Sequence, residues 1–256
     1  RQGGGAARAP ADRSGVSGLF VTGTDTGVGK TLVSAGLVRW ARARGLRVGA
    51  MKPAESGCAR RGDELVPADA ELLRWAAGGT DSLDLVCPHR LEAPLAPGIA
   101  ATREGKTISL ERVREALGAL SRAHPDGVIV EGAGGLLVPM APDFRTGADW
   151  AKALELPALV VARAGLGTIN HTALTVEALR TRGIPCRGVI LSAQRPEDEG
   201  AAPENAAAIE RLTGAEVLAT LPLLEGGDDR ARAEEAARHF EVIFSGRKLD
   251  PSRLLA

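Results

Sequence analysis

Val21-Thr22-Gly23-Thr24-Asp25-Thr26-Gly27-Val28-Gly29-Lys30-Thr31 decides how this chain folds. An apolar run (Leu19, Phe20, Val21) precedes it, and Leu32, Val33, Ala35, Leu37 and Val38 follow at helical spacing. Strand, glycine-rich loop and helix is the context a phosphate-binding loop requires. Glycines there let the backbone amides of Gly27, Val28, Gly29 and Lys30 turn inward around phosphate oxygens, at the positive end of the next helix. Lys30 then reaches the β/γ-phosphates, and the Thr31 hydroxyl can ligand Mg²⁺. The usual pattern places its first glycine where Thr24 stands, and Gly23 lies one step earlier. The stretch predicts a nucleoside triphosphate as ligand.

Outward from this loop, strands alternate with helices. Strands are expected at about 17–22, 46–51, 127–131, 157–162, 186–191 and 216–221. Helices are expected at about 29–44, 67–77, 109–123, 146–155, 168–182, from Asn205 to Leu212, and 229–240. The Pro-rich connection with Pro88, Pro94 and Pro97 reads as an irregular loop near the site, and the stretch up to Asn205 as a polar loop. Near-continuous apolar strands between helices mean a parallel sheet covered on both faces. The expected architecture is therefore α/β: a single P-loop nucleotide-binding domain over 17–245, about seven mostly parallel strands, helices on both sides. Residues 1–16 read as a disordered leader with a trimmed start, and 246–256 as a tail.

Bulk properties narrow the function. Lys+Arg and Asp+Glu both number 32 in 256 residues, so no net field favours nucleic acid or membrane. Three scattered cysteines, Cys58, Cys87 and Cys186, suggest free thiols in a reducing compartment rather than a disulfide framework. A cytoplasmic protein that binds neither nucleic acid nor membrane is the expectation.

In parallel sheets ligands sit beyond the carboxyl ends of the strands, which selects the candidates. Lys52 closes a strand before Pro53, whose ring holds the preceding residue extended, so Lys52 is either a cation aimed at the phosphate loop or a solvated lysine. Glu131 ends an apolar strand before Gly132-Ala133-Gly134-Gly135, as a metal-holding acid of a nucleotide site or an edge carboxylate. Asp69 opens a helix, where capping is the simpler role. Gly167-Thr168-Ile169-Asn170 begins a helix whose amides could hold a carboxylate, and His171 beside it reads as structural. Trp40, Trp75 and Trp150 read as packing residues. His89, His124 and His239 have no ligand spacing, so no structural zinc is expected.

Together these motifs resemble the dethiobiotin synthetases: Thr22 to Thr31, Lys52-Pro-x-x-Ser56-Gly57, Asp69-Ala70, Val130-Glu-Gly-Ala-Gly-Gly135, Asp149-Trp150, and Leu166-Gly-x-Ile-Asn-His171 with Leu174-Thr175. The displaced glycine is this family's own form. The resemblance covers Leu19 to about Leu224 and implies ATP-dependent closure of a cyclic urea on 7,8-diaminononanoate with CO₂, with Mg²⁺ as cofactor. It implies Lys52, Lys30 and Thr26 as catalytic residues and Thr31, Asp69 and Glu131 as metal ligands. Nucleotide contacts are implied for Gly27 to Leu32, Asp69, Glu131 to Gly134, the positions Ser192 and Ala193, and Pro222, Leu223 and Leu224. Ser56 is implied to contact the carbamate end. Gly167, Thr168, Ile169 and Asn170 are implied to receive the substrate carboxylate across a homodimer interface.

Some relatives carry Asn-Asp where this chain has Ser192-Ala193, so weaker base discrimination is expected here. Two rival readings share the fold. A partition- or septum-positioning ATPase switch would look for a second lysine near Asp25. An amidotransferase synthetase would need a glutaminase domain and a nucleophilic cysteine, neither of which is legible here.

Overall fold

The computed structural model describes residues 16–256, so the leader expected over 1–16 lies almost wholly outside the described residues. In chain order the elements begin with β1 (Gly18–Gly23), α1 (Lys30–Ala43), β2 (Val48–Met51), β3 (Ala54–Glu55), β4 (Ala59–Arg61), β5 (Glu64–Val66), α2 (Ala68–Ala76) and α3 (Leu83–Val86). Next come β6 (His89–Arg90), α4 (Pro97–Glu104), α5 (Leu110–Ala123), β7 (Gly127–Gly135), α6 (Gly147–Ala153), β8 (Ala158–Arg163) and α7 (Thr168–Thr181). Last are β9 (Cys186–Ser192), α8 (Pro196–Gly200), α9 (Ala202–Thr213), β10 (Val217–Leu221), α10 (Asp229–Arg247) and α11 (Pro251–Leu255).

Six strands form one parallel sheet in the order β10-β9-β8-β1-β7-β2. They are the six strands individually legible in the sequence; the remaining strands pair off in two small sheets, β3 with β6 and β4 with β5. Strand side chains alternate in direction, and here each direction is apolar. Phe20, Val128, Val130, Val160 and Ala162 enter one core, under α4, α5, α6, α7 and α9. Leu19, Val21, Ile129, Leu159 and Val161 enter the other, under α1, α2, α10 and α11. The order reverses around β1, so the loop after β1 sits where such sheets open a crevice.

Several boundaries differ from expectation for identifiable reasons. Pro97 does not resist regular structure; it opens α4, where a missing N–H costs nothing. The stretch read as polar loop holds α8 and the first turn of α9, each again with proline in its first turn. β7 continues past Glu131 to Gly135, because Val21 and Gly23 of β1 keep pairing with it across an irregularity in register. α10 runs on to Arg247, and α11 buries Leu254 and Leu255 in the second core. Asp149-Trp150 has a local explanation: Thr146 and Asp149 form a reciprocal capping box, and Trp150 is fully buried. Trp40 is buried against Phe244, whereas Trp75 is half-buried with the guanidinium groups of Arg39 and Arg230 over its ring. Among the described residues no helix is long and apolar enough to cross a membrane, and the three cysteines are free.

Candidate active site

The phosphate loop is built by its glycines. Gly27 and Gly29 take positive φ, 72° and 91°, and Gly29 caps α1 in the left-handed region. Gly23 accounts for the displaced glycine: a Cβ there would lie 2.7 Å from the Asp25 carbonyl oxygen, the backbone atom to which Lys30 Nζ donates, and 2.8 Å from that Nζ. Lys30 is buried and donates to the Asp25 carbonyl at 2.8 Å. Burial lowers its ammonium to about 8, against the opposing pull of Glu131.

Lys52 is no surface residue. It is 4 % exposed, its backbone N–H donates to the Val86 carbonyl, and its Nζ lies 2.7 Å from Asp69 Oδ2 and 2.6 Å from Glu131 Oε1. Burial opposes the charge, but the two carboxylates outweigh it and hold the ammonium well above the ordinary lysine range. Asp69 does not cap its own helix; its side chain crosses to Lys52. Burial opposes its ionisation too, yet Lys52, Thr31 and Lys30 keep the carboxyl below its usual range.

Glu131 is fully buried. Its Oε1 accepts from Lys52 and from Thr31 Oγ1 at 2.9 Å, while its Oε2 is a buried oxygen without a partner. Such an orphaned anionic oxygen suits a cation, and Thr31 and Asp69 converge on the same place. The donors are two carboxylates and a hydroxyl; among the described residues no three His, Cys, Asp or Glu side chains gather to hold a metal alone. A hard ion that keeps waters and phosphate oxygens as further ligands fits this set.

Lys30, Thr31, Lys52 and Asp69 line a cleft of about 660 Å³ at the carboxyl edge of the sheet, while Glu131 is buried behind them, outside its lining. Of the residues named from sequence, Thr26, Gly27, Gly29, Lys30, Thr31, Leu32, Lys52, Ser56, Asp69, Ala133 and Gly134 line it. Val28 is buried in the second core instead, and Gly132 packs where a Cβ would meet the Phe20 ring at 2.9 Å. Ser192 and Ala193 are buried behind the cleft; Gln194, the next residue, lines it and donates its Nε2 to Ser192 Oγ. Pro222, Leu223 and Leu224 lie outside the cleft lining; Leu223 N–H donates to Glu199, and Leu224 is buried.

Gly167 caps α7 with positive φ, Thr168 is buried, Ile169 packs against the first core, and Asn170 is exposed. None of these four lines the cleft. A separate groove of about 400 Å³ runs from Thr24 and Asp25 past Leu136 and Leu137 to Leu174 and Thr175 on α7. His171 is exposed. His89 is tied to the backbone of Ser109, and His124 to Asp81.

The Pro-rich connection does reach the site, with Pro94 to Pro97 in the cleft wall, whereas sequence reasoning missed Glu55 and Gln194 there. Glu55 is 6 % exposed, and burial, with Asp69 nearby, raises its carboxyl to about 7 despite Lys52 and two backbone N–H donors. The signal for it was available: α2 starts after Pro67, which has no capping side chain, so an acceptor had to come from elsewhere.

A family model described as an AAA domain matches residues 17–230. The chain is 57 % identical over 227 residues to an ATP-dependent dethiobiotin synthetase BioD of Anaeromyxobacter dehalogenans (strain 2CP-C), covering 89 % of this chain and 99 % of that one. It is 39 % identical over 233 residues to the protein of that name in Thermodesulfovibrio yellowstonii, covering 88 % and 97 %. Among solved structures, the MinC:MinD cell division protein complex of Aquifex aeolicus matches with a TM-score of 0.50 and 18 % identity, covering 90 % and 94 %; at that identity the likeness is one of fold.

Proposed function

The chain belongs to the ATP-dependent dethiobiotin synthetases and is an ATP-dependent ligase, and from that premise we propose that it closes the ureido ring of dethiobiotin on 7,8-diaminononanoate. One substrate amine takes up CO₂ and loses a proton to become a carbamate. A carbamate oxygen attacks the γ-phosphorus of ATP, the bond to the β-phosphate bridging oxygen breaks, and ADP leaves. The second amine attacks the carbamate carbon of the mixed anhydride, phosphate departs, and loss of the amine proton completes the ring.

The observation that carries this reading is the buried Lys52 ammonium, held by Asp69 and Glu131 beside Lys30 at the phosphate loop. Carbamate and triphosphate repel, so bringing them together demands fixed positive charge in a site poor in water. Lys30 holds the terminal phosphates, and Lys52 bridges the anions as charge moves between them. Thr26, at the mouth beside Gly134, contacts the transferring group, and Ser56 contacts the carbamate end. Thr31, Asp69 and the free Glu131 oxygen would hold Mg²⁺, which supplies Lewis-acid neutralisation of the phosphates. Pre-alignment of the diamine makes ring closure effectively intramolecular.

The working unit in this proposal is a homodimer in a reducing, cytoplasmic setting. Its support is the exposed Leu137 and Leu174, which line the groove beside α7, together with Leu166, exposed just before the Gly167–Asn170 turn that would receive the substrate carboxylate.

Incubation with 7,8-diaminononanoate, ¹³C-bicarbonate, Mg²⁺ and ATP tests the reaction. The expected product is dethiobiotin carrying one ¹³C, with one ADP formed for each ring. ATP hydrolysis indifferent to the diamine and stimulated by a protein or DNA surface would instead favour a positioning ATPase.

A further inference from the structure

We propose that Glu55 is a positioning residue that fixes Asp69, and through Asp69 the Lys52 ammonium, at the phosphate loop; the inference rests on the roles proposed above for those two residues. α2 begins with its first-turn amides unsatisfied, as every helix does. Its cap position is Pro67, which makes no side-chain hydrogen bond. Glu55 supplies acceptors for two of these amides from 14 and 15 residues upstream. Its Oε1 accepts from Asp69 N–H at 3.0 Å, and its Oε2 from Ala70 N–H at 2.9 Å.

A serine or aspartate at position 67 could have satisfied such amides from within the helix. A cap of that kind leaves the helix free to shift against the sheet. Glu55 belongs instead to β3, which follows Lys52 and Pro53 directly. Its own backbone is pinned, since its carbonyl accepts from Leu91 N–H at 2.8 Å and from Cys58 Sγ. The carboxylate therefore staples the strand that follows Lys52 to the helix turn that carries Asp69. The same turn holds Asp69 Oδ2 at 2.7 Å from Lys52 Nζ. Glu55 is buried, and its carboxylate is spent on these two amides while the ammonium serves Asp69 and Glu131.

Amide hydrogen exchange on the intact protein is the first measurement. The Asp69 and Ala70 amides are expected to exchange at least about tenfold slower than free amides, and Glu55→Gln to release one of them. Unprotected exchange at both positions in the unaltered protein overturns the proposal, whether or not any variant folds. Kinetics is the second measurement. Glu55→Gln is expected to lower kcat about tenfold or more with KM for ATP within about twofold, and to add no more than about twofold to the loss caused by Asp69→Asn. A fully multiplicative loss in the double variant overturns it, because Glu55 would then act independently of Asp69. Should the unaltered protein make no dethiobiotin, the reaction assigned above fails, and the exchange result still decides the staple.

Discussion

Lys52 carries a charge that burial alone would remove, and the cost of keeping it is visible in its partners. Two carboxylates are spent on one ammonium, and one oxygen of Glu131 is left unmatched. Breaking a buried pair from one side leaves an uncompensated charge. Lys52→Ala should therefore lower kcat by about 100- to 1,000-fold while nucleotide affinity, measured by fluorescence titration, stays within a few-fold. Near-normal turnover would remove Lys52 from the chemistry. Lys30 makes a different demand. Its folded value of about 8 lies below the 10.5 of a free lysine, so between these limits the empty protein holds fewer protons than the unfolded chain. Through this group, the empty protein's stability rises across that window. Triphosphate binding needs the proton back, so nucleotide affinity should fall as pH climbs above about 8, by up to about tenfold per pH unit. Titrations from pH 7 to 10 check the sign, and a flat profile would contradict it.

Among elements, what was legible in the sequence follows from periodicity and what was not follows from contacts made at a distance. The phosphate loop declared itself because its glycines, lysine and threonine are contiguous, and each main strand because both of its faces are apolar. Pro97 misled because proline that ends one helix can begin another, and the stretch up to Asn205 read as a polar loop although Pro196 and Pro203 each sit in a helix's first turn. Lys52 and Asp69 were ambiguous in the chain, since their meaning lies in a pairing that joins β2 to α2. Glu55 is one of the two unspecified positions between Pro53 and Ser56, and Gln194 follows Ser192-Ala193; only the fold shows that both reach the cleft. Packing between elements is equally specific. At Gly36 in α1 an added Cβ would lie 2.7 Å from Ala236 Cβ and 3.1 Å from the Phe240 ring of α10. Gly36→Ala should lower stability by about 1–3 kcal/mol despite its better helix propensity. Adding Ala236→Gly should recover part of that loss in a denaturant melt. An unchanged midpoint for Gly36→Ala would show that α10 can move away freely.

At the scale of the molecule, two cores back a single sheet, and the second is closed by the last elements of the chain. Leu254 and Leu255 on α11 are 4 % and 2 % exposed, and Leu255 lies against Gly127 at the start of β7. Removing residues 250–256 should cost about 4 kcal/mol, from two buried leucines at about 2 kcal/mol each, and lower Tm by about 10 °C. Retention of the full Tm would reduce α11 to an ornament. The cleft opens at the opposite edge of the sheet from that contact, so the loss is expected in stability rather than in KM.

The β4–β5 hairpin leaves the body of the protein between the two ends that Glu55 ties together. A loop pinned at its base has its closure settled there, and extra length beyond the pin adds only slowly to its entropy. Residues 60–65 are thus a natural socket: a peptide epitope or fluorescent reporter spliced at the tip would travel with the enzyme while the reacting groups beneath kept their spacing.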